Sequence, residues 1–172
     1  MKNFVFILCI TFIFSCDLVD KRENFTAEGL KPIYANDWKE ITLEPARDIG
    51  QLGKIYYHQG WLFVNELYKG IHIIDNTQPE NPIRKAFISI PGNVDIAAKG
   101  DVIFADNYSD MLSIRIPTGE QVEVLSRISN LYPKAIEDYP PEYSGYFECV
   151  DVTKGIVIGW EEATLSNPEC KR

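Results

Sequence analysis

Short apolar stretches recur in this chain at a spacing of forty residues. Residues 53–90 laid over 93–130 with a fixed shift of 40 bring Gly60 onto Gly100, Phe63 onto Ile103, Glu66 onto Asp106, Tyr68 onto Tyr108 and Ile74 onto Ile114. Each stretch is rich in Ile, Val, Phe and Tyr and is closed by Gly, Pro, Asn or Asp. That is the pattern of short strands joined by tight turns. The first unit reads as strands over Lys54–His58, Trp61–Asn65, Gly70–Asp75 and Ile83–Ile90. The second reads as Val94–Ala98, Val102–Ala105, Met111–Ile116 and Val122–Ile128. Four strands in ~40 residues is the period of a propeller blade. Gly60 and Gly100 fall where hairpin turns need positive φ.

The period predicts an all-β, β-propeller-like repeat over residues 31–172, with about two four-stranded blades at 53–92 and 93–130. A C-terminal hairpin is expected at about 147–160, from Phe147–Val152, a Thr153-Lys154-Gly155 turn and Ile156–Trp160. Pro133, Pro140 and Pro141 break up the segment before it, with a helical turn expected near Lys134–Asp138. The tail from Glu161 reads as a loop pinned by Cys170. Closure of a propeller takes at least about four blades, so this one is expected to be incomplete. Open sheet edges invite self-association or a partner. A truncated gene product without independent function is the alternative.

The N-terminus reads as an address. Phe4–Phe14 is apolar except for Thr11, and Lys2 is the only charge before Asp17. The run is too short to span a bilayer, which takes about 20 helical residues, and has the length of a secretory signal core. It ends Ile13-Phe14-Ser15-Cys16. This resembles a bacterial lipobox, which implies removal of residues 1–15 and acylation of Cys16. Two or more acyl chains anchor a protein stably in a membrane. Residues 16–30 are polar and read as a flexible tether. The expected location is the cell envelope, at the outer membrane or cell surface rather than the inner membrane. With Cys9 lost and Cys16 lipidated, Cys149 and Cys170 remain in an oxidising compartment. A bridge between them would close a loop of ~22 residues and contribute roughly 3 kcal/mol; two reduced thiols are the alternative.

Gly70–Pro82 (GIHIIDNTQPENP) resembles the LVIVD repeat, through Ile71-His72-Ile73-Ile74-Asp75 followed by Pro79 and Pro82. The flanking Gly29-Leu30-Lys31-Pro32-Ile33-Tyr34, Gly53-Lys54-Ile55-Tyr56 and Ile90-Pro91-Gly92-Asn93-Val94-Asp95 are similar to Bacteroidetes lipoproteins that carry this repeat. In the second unit Arg115 stands where the motif has Asp, and the paired prolines are absent. The resemblance implies a β-propeller-like fold and no assigned activity. The motif also has a structural reading. Ile71 and Ile73 face one way and His72 and Ile74 the other, so the strand suits burial on both faces between stacked blades. Asp75 suits an Asx turn.

Catalytic patterns are sparse. His58 and His72 are the only histidines, both on expected strands. The chain has no HExxH, CxxC, GxSxG, phosphate-binding glycine loop or dinucleotide fingerprint, so no metal or other cofactor is expected. With 25 Asp+Glu against 17 Lys+Arg, a nucleic-acid partner is excluded on charge. The oxygen-rich run Asp106-Asn107-Tyr108-Ser109-Asp110 reads as a solvated loop, and Glu161-Glu162 as a solvated pair. The remaining binding candidates are aromatic: Tyr56, Tyr57, Trp61 and Tyr68 in one unit, with Tyr139, Tyr143 and Tyr146 further on. Their flat faces and polar tips suit a protein or glycan partner. The expectation is therefore a non-enzymatic, lipid-anchored binding or scaffolding module. The rival is a carbohydrate-active hydrolase built on Asp and Glu carboxylates, which would need two of them converging in a pocket.

Overall fold

The computed structural model describes residues 24–117, 121–132 and 138–172. Cys16 and most of the expected helical turn at Lys134–Asp138 lie outside the described residues. Among those described, the fold is all-β with three sheets and no α-helix.

Sheet I holds β1 (Thr26–Ala35), β11 (Tyr146–Phe147), β12 (Ile156–Ser166) and β13 (Cys170–Lys171), in the order β12-β1-β11-β13. Sheet II holds β2 (Thr42–Pro45), β3 (Leu52–His58), β4 (Trp61–Glu66), β5 (Gly70–Asp75) and β6 (Ile83–Ser89), in the order β2-β6-β5-β4-β3. Sheet III holds β7 (Ile96–Lys99), β8 (Val102–Asn107), β9 (Asp110–Arg115) and β10 (Glu123–Ile128), in the order β10-β9-β8-β7. The two expected units are thus sheets II and III, each an antiparallel meander, with β2 added to the outer edge of the first.

Local chemistry sets the turns. His58 pairs with Trp61 across Gln59-Gly60, and both turn residues have positive φ, 49° and 82°. That is the type I′ geometry that matches strand twist. Asp75 Oδ1 accepts from the Thr77 amide at 3.1 Å and the Thr77 hydroxyl at 2.7 Å, closing the Asx turn after β5.

Sheet II is buried on both faces. On one face Phe63, Ile71, Ile73 and Ile88 pack with Ile96, Ala98, Ile103, Ala105, Leu112 and Ile114 of sheet III in one core. On the other face Val64, His72, Ile74 and Phe87 are buried, and Tyr68 lies over Gly159 of sheet I. A Cβ at Gly159 would stand 2.2–2.6 Å from atoms of the Tyr68 ring, so glycine is what lets sheet I come this close.

The fixed shift of 40 needs one correction. Trp61 pairs with Asp75 in sheet II and Val102 with Arg115 in sheet III. The β5-to-β9 shift is therefore 40, but the β4-to-β8 shift is 41. The cause is the connection: three residues, 67–69, separate Glu66 from Gly70, whereas two, 108–109, separate Asn107 from Asp110. In a strand one residue reverses the face. Phe63 therefore matches Phe104 rather than Ile103, Glu66 matches Asn107, and Asn65 matches Asp106.

Sheet I departs most from expectation. Phe147–Val152 and Ile156–Trp160 do not form a hairpin with each other. Asp151 caps a short 3₁₀ turn at Val152–Lys154, but β11 pairs in parallel with β1, and β12 pairs antiparallel with β1 from Thr26↔Ser166 to Ala35↔Ile156. Residues 26–30, expected in the tether, are therefore the first half of the central strand. The tail after Glu161 continues β12 to Ser166 and then supplies β13. Cys149 and Cys170 are joined by a disulfide, which staples the segment after β11 to β13.

Candidate functional site

The turn after β4 puts a group of charged side chains against sheet I. Glu66 ends β4 on the face that meets sheet I, next to His72 of β5. His72 Nε2 lies 2.8 Å from Glu66 Oε2, and both residues are buried, at 1% and 3% exposure. Arg47, from the segment between β2 and β3, donates Nη2 to the same oxygen at 3.2 Å. Its guanidinium carbon stands 3.7 Å from the centre of the Phe87 ring, and that ring packs on His72 at 4.7 Å. Lys69 reaches Glu66 Oε1 at 3.6 Å and Glu161 Oε2 of β12 at 3.3 Å. Lys31 of β1 pairs with Glu161 at 3.1 Å. Burial pushes the Glu66 carboxyl up, but the His72 hydrogen bond and the Arg47 and Lys69 charges outweigh it and hold the group below its ordinary range. Glu161 is also pulled up by burial and held down overall by Lys31 and Lys69.

Beside this network a cleft of about 220 Å³ opens between sheets I and II. Ile33, Tyr34 and Ile158 form one wall, and Arg47, Tyr68 and Phe87 the other. Tyr68 adopts φ 66°, and burial raises the pKa of its hydroxyl. Its main chain ties the turn to the link between sheets: Tyr68 N donates to Asn93 O at 2.7 Å, and Gly92 N donates to Tyr68 O at 2.8 Å.

The aromatic candidates do not share one patch. Tyr56 and Trp61 pack against the core between sheets II and III, and the Tyr56 hydroxyl donates to Ala98 O at 3.0 Å. Tyr57 pairs with Leu62 on the opposite face and is exposed. Tyr68 lines the cleft against sheet I. Further on, Lys171 sits over the Tyr146 ring and Arg172 over the Tyr139 ring. Alternation along β3 divides Tyr56 from Tyr57, because successive side chains point to opposite faces.

The Asp106–Asp110 run is not a solvated loop. Asn107, Ser109 and Asp110 are buried. Asn107 Nδ2 donates to Trp38 O and Pro91 O, both at 2.7 Å. Arg127 donates to Asn107 Oδ1 at 2.6 Å and Asp110 Oδ2 at 3.0 Å. Asn107 matches Glu66, but its arginine comes from β10, at the place matched to Phe87, whereas Arg47 comes from the segment before β3. On the other face, Asp106 Oδ1 accepts from Asn93 Nδ2, Val94 N and Asp95 N at 2.8–2.9 Å. Burial raises the Asp106 pKa even against those bonds. Glu161 and Glu162 are divided by the strand: the first is held by two lysines, while the second is exposed.

Sequence reading placed His72 in a packed strand but missed its partner. The only signal was position: Glu66 follows the apolar run 61–64 by two residues, before the Gly70 that opens the next strand. Arg47 gave no signal, because it comes from an irregular segment nineteen positions away. No group of three or more His, Cys, Asp or Glu side chains able to hold a metal ion occurs among the described residues. No family model, curated protein or solved structure matches the chain.

Proposed function

We propose that this chain is a lipid-anchored, extracytoplasmic module of β-propeller type, similar to the LVIVD-repeat lipoproteins, that binds or scaffolds a partner in the cell envelope. The observation that carries the reading is the face-to-face stacking of sheet II between sheets I and III. Stacked four- and five-stranded meanders are what a propeller repeat builds from this sequence period. The matching antiparallel register of β3–β6 and β7–β10, with β4 and β8 related by 41 residues and β5 and β9 by 40, supports treating sheets II and III as one repeated unit. The Cys149–Cys170 disulfide suits an oxidising compartment, as does the resemblance of Ile13-Phe14-Ser15-Cys16 to a lipobox.

The site chemistry favours binding over hydrolysis. A glycosidase needs a carboxylic acid of raised pKa facing a second carboxylate. Beside the cleft between sheets I and II, Glu66 and Glu161 are both held down and share Lys69; Asp106, which burial raises, lines a different cavity, where its neighbour Asp95 is paired with Lys54 at 2.6 Å and held below its ordinary range.

The test is detergent-phase partition of the full chain made in a bacterial host, with metabolic labelling by an alkyne fatty acid. The wild type should label and enter the detergent phase, and Cys16→Ser should do neither. A wild-type chain that stays unlabelled in the aqueous phase would overturn the anchored reading. Protease shaving of whole cells then separates surface display from a periplasmic site.

A further inference from the structure

Sheet III has a second face that no other sheet of the described residues covers. It presents Ala97 and Ile128, both exposed, and Phe104, Met111 and Ser113, half-buried, with Lys99 and Arg115 at its far end. By the register, Phe104, Met111 and Ser113 match Phe63, Ile71 and Ile73 of sheet II. Those three positions in sheet II bury sheet III. Sheet III therefore repeats the docking layout of its neighbour without an occupant among the described residues. At its inner end the face is indented by a cavity of about 240 Å³, lined by Val94, Phe104, Asp106, Met111 and Tyr132 among others.

Asp106 gives this face its polarity. Its counterpart in sheet II, Asn65, reaches across the interface and donates Nδ2 to Asn93 Oδ1 at 2.6 Å. Asn65 is thus the polar lock between one sheet and the next. At Asp106 the lock is an acceptor. Oδ1 is occupied by the Asn93, Val94 and Asp95 donors, and Oδ2 receives no hydrogen bond from the described residues. Asp106 is half-buried and Oδ2 is open to water, so a partner that closes this face has to replace that water with a charged donor.

We propose that this face docks a protein partner presenting an aliphatic strand surface with a single Lys or Arg among its apolar side chains, the basic group going to Asp106. This inference rests on the binding reading above. Charge argues against a second copy of this chain. The basic groups a second copy would bring on this face, Lys99 and Arg115, lie at the far end of the strands from Asp106, and Arg115 is already paired with Asp101 and Glu123, in a chain of net charge −8. Extent argues for a protein surface, because the apolar area runs from the cavity, which Tyr132 lines, to Ile128, both residues exposed.

The test uses the full chain with labelled methionine and isoleucine methyls, titrated with disulfide-closed β-hairpin peptides. Each peptide carries Val and Ile on one face and, at its centre, Lys, Glu or norleucine. The Lys peptide should shift the Met111 and Ile128 methyl signals, and the Glu and norleucine peptides should bind at least ~10-fold more weakly. Asp106→Asn keeps an oxygen for the three N–H donors and should erase the preference for Lys. If Asp106→Asn fails to fold, Met111→Glu, at a half-buried position of the same face, should abolish the Ile128 shift that the Lys peptide causes. The proposal is overturned if norleucine binds as well as Lys, if the shifts fall on another face, if no peptide binds, or if the chain alone dimerises through this face. None of these results touches the detergent partition, so the anchored-module reading is decided separately.

Discussion

Replacing Glu66 with Gln tests whether the buried charged corner holds sheet I to sheet II. The substitution keeps the size and one acceptor oxygen but removes the charge that Arg47, Lys69 and His72 share. Breaking a fully buried ion pair costs about 3–5 kcal/mol. Here the Arg47 and Lys69 side chains are 39% and 36% exposed and regain water when released, so the cost is discounted. His72 has no such escape at 1% exposure and keeps only a neutral acceptor. A charged hydrogen bond is worth about 1.5–3 kcal/mol, which sets the expected loss at about 2–3 kcal/mol. At ~2–4 °C per kcal/mol for a chain of this size, the melting temperature should fall by about 4–12 °C. Urea unfolding with the disulfide intact measures it. Glu161→Gln is the control, because its carboxylate and both lysines are solvent-accessible, and it should cost less than ~1 kcal/mol. A cycle with His72→Leu, the residue found at the matched position Leu112, should show a coupling of at least ~0.5 kcal/mol. The folded-state pKa of Glu66 lies below its unfolded value near 4.5. Its contribution is therefore present above pH 4.5 and is lost as pH falls through the folded value, so wild type and Glu66→Gln should converge in acid. A Glu66→Gln chain within ~0.5 kcal/mol of wild type at neutral pH would refute the reasoning.

Three further outcomes follow from the packing. The double variant Cys149→Ser/Cys170→Ser opens a bridge of sequence separation 21 and should lose roughly 3 kcal/mol against urea under oxidising conditions, whereas a loss below ~1 kcal/mol would mean that sheet I does not need the staple. Gly159→Ala puts a Cβ against the Tyr68 ring and should cost about 1–3 kcal/mol, with most of that cost absent in a Tyr68→Ala background; equal costs in the two backgrounds would show that the contact does not govern docking of the sheets. Ile103→Ala should cost about 2–5 kcal/mol and Phe104→Ala about 1 kcal/mol or less, because β8 turns Ile103 into the core and Phe104 to the uncovered face; the reverse order would refute the 41-residue shift.

The β8 register shows how far a sequence of this kind can be read. Strand existence was legible, because Ile, Val and Phe runs between Gly, Asn and Asp carry local information about extended backbone. The turn at Gln59-Gly60 was legible for the same reason, since positive φ is a property of one or two residues. Facing was not. It depends on counting from the hairpin, and the β4–β5 and β8–β9 connections differ by a single residue that no composition rule weighs. That one residue moves Phe104 out of the core and turns Asp106 from a loop residue into the polar member of an apolar wall. Sheet I was less legible still, because β1 and β12 meet across most of the chain, and a strand such as Thr26–Ala35, with Gly29 and Pro32 inside it, has no alternation of its own to announce it. The charged corner combines both difficulties. Glu66 and His72 are set by a local hairpin, but their cations arrive from an irregular segment, a turn and, through Glu161, another sheet. A polar pair inside a strand buried on both faces is therefore the legible half of such a site. Its other half is fixed only when the sheets stack, which is why the residues that bind sheet I to sheet II and those that leave sheet III open are decided by packing rather than by any motif.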